Sequence, residues 1–186
     1  MPRIRTLLPL LALSAAAACG DNDSLPDPTT ENAVDTVTVG SLTDTPITTA
    51  SGFAVSAAAA VRTDLDAGFD FAYDIEGPAE TGRKVILPRV ILGITSNGNA
   101  EPGVMRRNDA FDDIDVAPSN GYVIDSAVPV ALGERYVVRS RVICDIGVPV
   151  YAKVEIIGFE NNSLVLKRLK NVNCGYRGLE PGLPDR

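Results

Sequence analysis

The stretch that most constrains this chain is residues 134–160, ERYVVRSRVICDIGVPVYAKVEIIGFE. Tyr136, Val138, Ser140, Val142 and Cys144 alternate with Arg139 and Arg141, and further on Ala152, Val154 and Ile156 alternate with Lys153 and Glu155. A period of two, enriched in β-branched and aromatic residues, marks strands with one buried face. Gly147 and Pro149 stand between the two runs. The stretch therefore reads as a hairpin whose first strand ends at Cys144.

The rest of the chain repeats this pattern in shorter pieces. Residues 69–75, FDFAYDI, place Phe69, Phe71, Tyr73 and Ile75 on one side and Asp70, Ala72 and Asp74 on the other. Strands are also expected within 52–61, with Phe53 and Val55 on one face, and over 85–87, 90–94 and 128–132, with Pro88 at a bulge or edge. Residues 95–108 read as loop because of the turn dipeptides Asn97-Gly98 and Pro102-Gly103. Residues 111–114 read as one helical turn, and Asn120-Gly121 as a turn before Tyr122. Asn161-Asn162 turns the chain into residues 164–169, which pair back on the hairpin, and loop follows Asn171. About eight short strands with no sustained helical period predict an all-β domain, an antiparallel β-sandwich or partly open barrel.

The N-terminus is different in kind. Arg3 and Arg5 precede an apolar run at 7–13 that is too short to span a bilayer, and small residues follow, so residues 1–18 read as a secretory signal peptide. Ala16-Ala17-Ala18-Cys19-Gly20 resembles the bacterial lipobox, in which the cysteine becomes the lipid-bearing first residue, although Ala16 stands where Leu is commonest. The alternative is an ordinary A-x-A cleavage that releases a soluble protein. The cysteine count favours the lipid. Three cysteines leave an odd one in an exported chain, and lipid on Cys19 leaves Cys144 and Cys174 as a disulfide pair. Such a bridge contributes roughly 3 to 4 kcal/mol in the chain-entropy treatment. Metal ligation by the two thiolates is the other reading of that pair, and it has no histidine to complete it. Residues 19–45 are rich in Asp, Asn, Thr, Ser and Pro and read as a lipidated, disordered tether, on which Asp21, Asp23 and Asp27 are solvated charge. Residues 46–186 are then the β-sandwich domain.

Composition narrows the function. A formal net charge of -7 and the absence of basic runs interleaved with aromatics exclude groove-tracking nucleic-acid binding. The chain has no histidine, which removes Ser-His and Cys-His pairs, imidazole bases and the H-E-x-x-H zinc site. Asp112, Asp113 and Asp115 lack the spacing of a calcium loop and read as an exposed acidic turn. Arg106, Arg107, Arg139 and Arg141 are small basic spots, read as solvated strand-face charge. No catalytic residue, metal or cofactor is assigned. The expected protein is not an enzyme but a binding or structural module, held to a membrane through Cys19.

FDFAYDI, FDDIDVAP followed by GYVID, ERYVVRSR and VYAKVEI, taken in order, resemble the HmuY-like group of bacterial lipoproteins over about residues 69–157. The closing NVNCGYRGLEPGLP with Cys144 is similar to an uncharacterised, disulfide-containing subgroup of envelope lipoproteins. The resemblance implies a β-rich domain tethered by an N-terminal cysteine at the cell envelope, with the outer membrane or cell surface favoured. It also implies haem capture as an alternative function. Haem-binding members use axial His or Met, whereas here Met105 is the one methionine beyond the leader, Tyr122, Tyr136 and Tyr151 are the remaining side chains of interest, and Phe69 stands where the group often has Trp. Fold and tether carry over, and haem-ligand residues do not.

Overall fold

The computed structural model describes residues 25–96 and 100–185. Among them are nine strands: β1 (Ala33–Gly40), β2 (Gly52–Phe53), β3 (Phe71–Glu76), β4 (Arg83–Pro88), β5 (Gly103–Arg107), β6 (Val128–Pro129), β7 (Arg135–Arg139), β8 (Tyr151–Glu160) and β9 (Ser163–Asn171). They form two antiparallel sheets. One has the order β1-β9-β8-β7-β5 and the other β2-β3-β4-β6. The all-β class and the sandwich reading are thereby met, as two open sheets and not a barrel.

The core between the sheets follows the alternation in the sequence. Tyr136 and Val138 of β7, Ala152, Val154 and Ile156 of β8, and Leu164 and Leu166 of β9 meet Phe71, Tyr73 and Ile75 of β3 and Ile86 of β4. Phe53 stacks on Phe71, with ring centroids 4.7 Å apart. Asn161 and Asn162 both have positive φ, 48° and 59°, which matches the two-residue turn whose twist suits a tight hairpin between β8 and β9. Asparagine tolerates this left-handed region better than other side chains. The register slips between Ile156 and Gly158, so that Ile156 is buried and Ile157 is half exposed.

Several expectations need correction. β7 ends at Arg139, so residues 142 and 144 are not in the strand. The Ser140 N–H reaches Val150 O at 2.9 Å as a last rung, and the Arg141 N–H then donates to the Asp70 carboxylate at 2.8 Å. That bond draws the chain out of the ladder towards the other sheet. The hairpin is real, but an eleven-residue loop joins its strands, with Cys144 inside it.

The reading of residues 19–45 as disordered needs correction as well. Ala33–Gly40, within the span read as disordered, is an edge strand paired with β9 along its whole length. Val37 and Val39 alternate with Thr36 and Thr38 and enter the core, and β-branched residues on both faces suit a strand even where large apolar residues are few. Residues 19–24 of that reading lie outside the described residues, with the signal peptide and Cys19.

Smaller differences have similar local causes. Residues 90–94 are not a strand, because a 3-10 turn, Arg89–Leu92, follows Pro88 and is closed by Gly93 in the left-handed region. β5 lies in the span read as loop. Gly103 is there because a Cβ would come within 2.7 Å of Val123 O, so it serves a close strand approach, not a turn. Asn97-Gly98 is outside the described residues. The helical turn is present as Phe111–Asp113. Only Gly52–Phe53 of residues 52–61 and Val128–Pro129 of 128–132 are strand.

Candidate functional site

The two ends of the sandwich are built differently, and the one where the chain enters holds most of the buried polar chemistry. There the connections around residues 54–70, 89–102 and 140–150 meet the segments 25–32 and 171–185. Backbone groups in such long connections have no ladder, so side chains must satisfy them. Asp70, fully buried at the start of β3, accepts from the Val55 N–H and the Arg141 N–H, both at 2.8 Å, with Arg141 Nη1 at 3.8 Å. Its carboxylate ties the two ends of the 54–70 connection to the 140–150 loop. Burial pushes its carboxyl up to about 6, against the opposing pull of those two N–H donors and Arg141.

Arg168 does similar work on the other side of this end. It is wholly buried, pairs both guanidinium arms with Asp35 at 2.7 Å, and donates to Ala57 O at 3.1 Å and Ala58 O at 3.0 Å. Lys170 Nζ donates to Ala57 O as well, at 3.2 Å. The alanine run at 57–60 is thus neither helix nor strand but a loop pinned by its carbonyls. The hydrogen bonds from Arg168 hold the Asp35 carboxyl below the usual range.

The terminal segments lock onto the same end. Asn173 Oδ1 accepts from the N–H groups of Thr29 (2.9 Å) and Thr30 (3.1 Å), and its Nδ2 donates to Thr30 O at 2.8 Å. Tyr176 OH donates to Pro26 O at 3.1 Å. Asn32 and Gly182 exchange backbone bonds of 2.7 and 3.0 Å. Gly175 has a positive φ of 80°, and a Cβ there would lie 2.7 Å from Leu25 and 3.4 Å from Val148. Cys144 and Cys174 form the expected disulfide, with Cα atoms 5.9 Å apart, and so join the 140–150 loop to the segment that clamps the incoming chain.

A second cluster lies on the outer face of the five-stranded sheet. Phe111, Ile114, Ala117 and Leu179 cover Val137, Tyr151 and Leu169. Lys153 is buried beneath this cover, donating to Ile114 O at 3.0 Å with its ammonium 4.9 Å from the Phe111 ring centre. Burial lowers its pKa. Beside it the Arg139 guanidinium stacks 4.7 Å from the Tyr122 ring centre, and Tyr122 lies 6.5 Å from Tyr151.

The structure divides the side chains of interest for haem between the two faces of the five-stranded sheet. Tyr136 points into the core between the sheets, where its OH donates to Glu134 Oε2 at 2.6 Å and lies 3.1 Å from Pro129 O. Tyr122, Tyr151 and Met105 are on the outer side. There the Tyr122 OH donates to Pro118 O at 2.8 Å and the Met105 methyl is packed on Gly121. Of the acidic turn, Asp112 is largely exposed and lies 3.7 Å from Lys167. Among the described residues no three His, Cys, Asp or Glu groups gather as metal ligands. Of the basic spots, Arg106 pairs with Glu134 and Arg107 with Asp109, while Arg141 donates to Gly68 O.

Asp70, Arg168 and Lys153 carry most of this architecture, and sequence reading passed them over. Asp70 and Lys153 sit on the sides that alternation assigns to solvent. Arg168 had a signal, since it shares parity with the inward Leu164 and Leu166. No family model, curated protein or solved structure matches the chain.

Proposed function

We propose that this protein is a non-catalytic, lipid-anchored module of the bacterial cell envelope, exported by residues 1–18, held by lipid on Cys19, and acting through binding or structural contacts of its sandwich. The observation that carries the reading is the disulfide. It pairs Cys144 with Cys174, which leaves Cys19 as the odd cysteine of three, placed behind small residues and an apolar leader. A disulfide also belongs to an oxidising compartment. The clamping of residues 25–32 supports the reading further, because a tether is useful only if the folded domain grips its own end of it. The HmuY-like resemblance enters at the level of β-rich fold and anchor.

The test is metabolic labelling of the full chain with a tagged fatty acid in a bacterial host, followed by membrane fractionation and mass measurement, with Cys19→Ala as control. Label and membrane retention that both vanish in the control are expected. An unlabelled, soluble, cleaved wild-type chain would overturn the anchor.

A further inference from the structure

Which part of the domain meets the lipid follows from the length of chain between anchor and fold. This step rests on the reading of Cys19 as the anchor. Residues 20–24 are all that separate Cys19 from Leu25, and even fully extended that span reaches only about 20 Å. The ten-residue β8 is roughly 33 Å long. The tether is therefore shorter than the sandwich, and the end that grips Leu25 and Pro26 stays close to the bilayer.

That end presents apolar side chains from both sheets. Ile143 and Ile146 project from the 140–150 loop, Ile91 and Leu92 from the 3-10 turn after β4, and Leu65 from the connection before β3. All are exposed although each is large and apolar. Exposure alone decides nothing, because Ile47, Leu132 and Ile157 are as open at the opposite end. The short tether breaks the tie. We propose that the disulfide-stapled loop carrying Ile143 and Ile146, with Ile91, Leu92 and Leu65 around it, inserts into the interfacial region of the membrane that holds the lipid anchor.

The charges at this end fit a partner that is apolar and not anionic. Arg62 pairs with Asp64 at 2.7 Å, Asp66 accepts from the Gly68 N–H, and Arg141 is turned back onto Gly68 O and towards Asp70. These groups are engaged within the protein. The exposed Asp145 between Ile143 and Ile146 adds a negative charge that stays at headgroup level and disfavours anionic lipid, and no lysine stands among the projecting residues to seek headgroup phosphates. Contact is therefore hydrophobic, as for interfacial segments that bury an apolar edge, and insensitive to added salt. The disulfide supports it by removing freedom from the loop before it meets lipid. Less ordering is then left to be done on contact.

The chain contains no tryptophan, so a single introduced one reports its own surroundings. The full-length lipidated protein, as Ile146→Trp and separately as Leu132→Trp, is reconstituted in phosphatidylcholine vesicles with and without brominated acyl chains. Its lipidation is confirmed by mass. Ile146→Trp is expected to emit at the blue side and to lose most of its emission to brominated lipid, with no change in high salt, while Leu132→Trp keeps its emission. Lipidated protein in which both positions go unquenched overturns the membrane contact and leaves the anchor standing. Crosslinking of position 146 to a protein in native envelopes, without quenching in vesicles, also overturns it and gives the surface to a protein partner. Protein that carries no lipid overturns anchor and contact together.

Discussion

The two ends of this sandwich solve the same problem with different chemistry. At the end where β8 turns into β9, two asparagines in the left-handed region reverse the chain, and Gly133 with a φ of 78° reverses it before β7. Backbone geometry makes these two reversals, and side chains add only a mostly exposed network in which Asp74 accepts from the Ser41 hydroxyl and the Thr43 N–H, and Asn162 donates to Asp44 O. At the other end the connections are long and irregular, and buried Asp70, Arg168, Asn171 and Asn173, together with a disulfide, take the place of short turns. Tight turns fix a structure through φ and ψ, whereas long connections need side chains that satisfy the peptide groups the ladders leave over. An end built in the second way can present a shaped surface, which tight turns do not allow.

Substitutions can break this contrast. The largest loss is expected for Arg168→Leu, which strips a half-exposed Asp35 and the carbonyls of Ala57 and Ala58 of their partner. Urea unfolding should show a loss of about 3 to 5 kcal/mol, towards the lower figure because water still reaches Asp35. Next is the Cys144→Ser, Cys174→Ser pair, expected to lose about 3 to 4 kcal/mol from a crosslink that spans 30 residues of sequence. A reductant should reproduce that shift in the wild type and have no effect on the variant.

Asp70→Asn tests the latch more finely. Whichever way its amide is turned, an N–H₂ faces the N–H of Val55 or of Arg141, and a loss of about 2 to 3 kcal/mol is expected. The pH profile gives a separate readout. Asp70 binds its proton more tightly in the folded state, near 6, than in the unfolded chain, so its contribution is fully present below about pH 4 and is lost as pH rises to about 6. The difference between wild type and Asp70→Asn in urea titrations should therefore change across that window, by up to about 3 kcal/mol. The smallest effect belongs to the turn end. Asn162→Ala is expected to cost about 1 to 2 kcal/mol, since it loses the tolerance of asparagine for positive φ and one exposed hydrogen bond, from Nδ2 to Asp44 O at 3.1 Å. A loss there as large as at Arg168 would erase the distinction between the ends.

Much of the fold is legible in the sequence because periodicity and burial coincide along β3, β7, β8 and β9. Phe69, Phe71, Tyr73 and Ile75 are all buried, as their spacing requires. The disulfide was legible by cysteine count. What the alternation hid is the outer face of the five-stranded sheet. Lys153 and Val137 should meet water by parity, yet a loop and the C-terminal segment cover them. Periodicity reports that a face is polar, not what lies on top of it. β1 was hidden for a different reason, because Thr and Asp between its valines gave it the composition of a tether. The latches Asp70 and Arg168 are fixed by contacts far along the chain, which no local window contains.

The clamp on residues 25–32 also sets how the domain bears force. A pull on the chain ahead of Leu25 reaches the bonds of Pro26 to Tyr176 and of Thr29 and Thr30 to Asn173 before it can peel β1 from β9. Because Cys174 lies beside that grip and is bonded to Cys144, part of the load passes covalently into the loop between β7 and β8. Tension applied ahead of Leu25 is thus carried past the edge strand into the middle of the sheet.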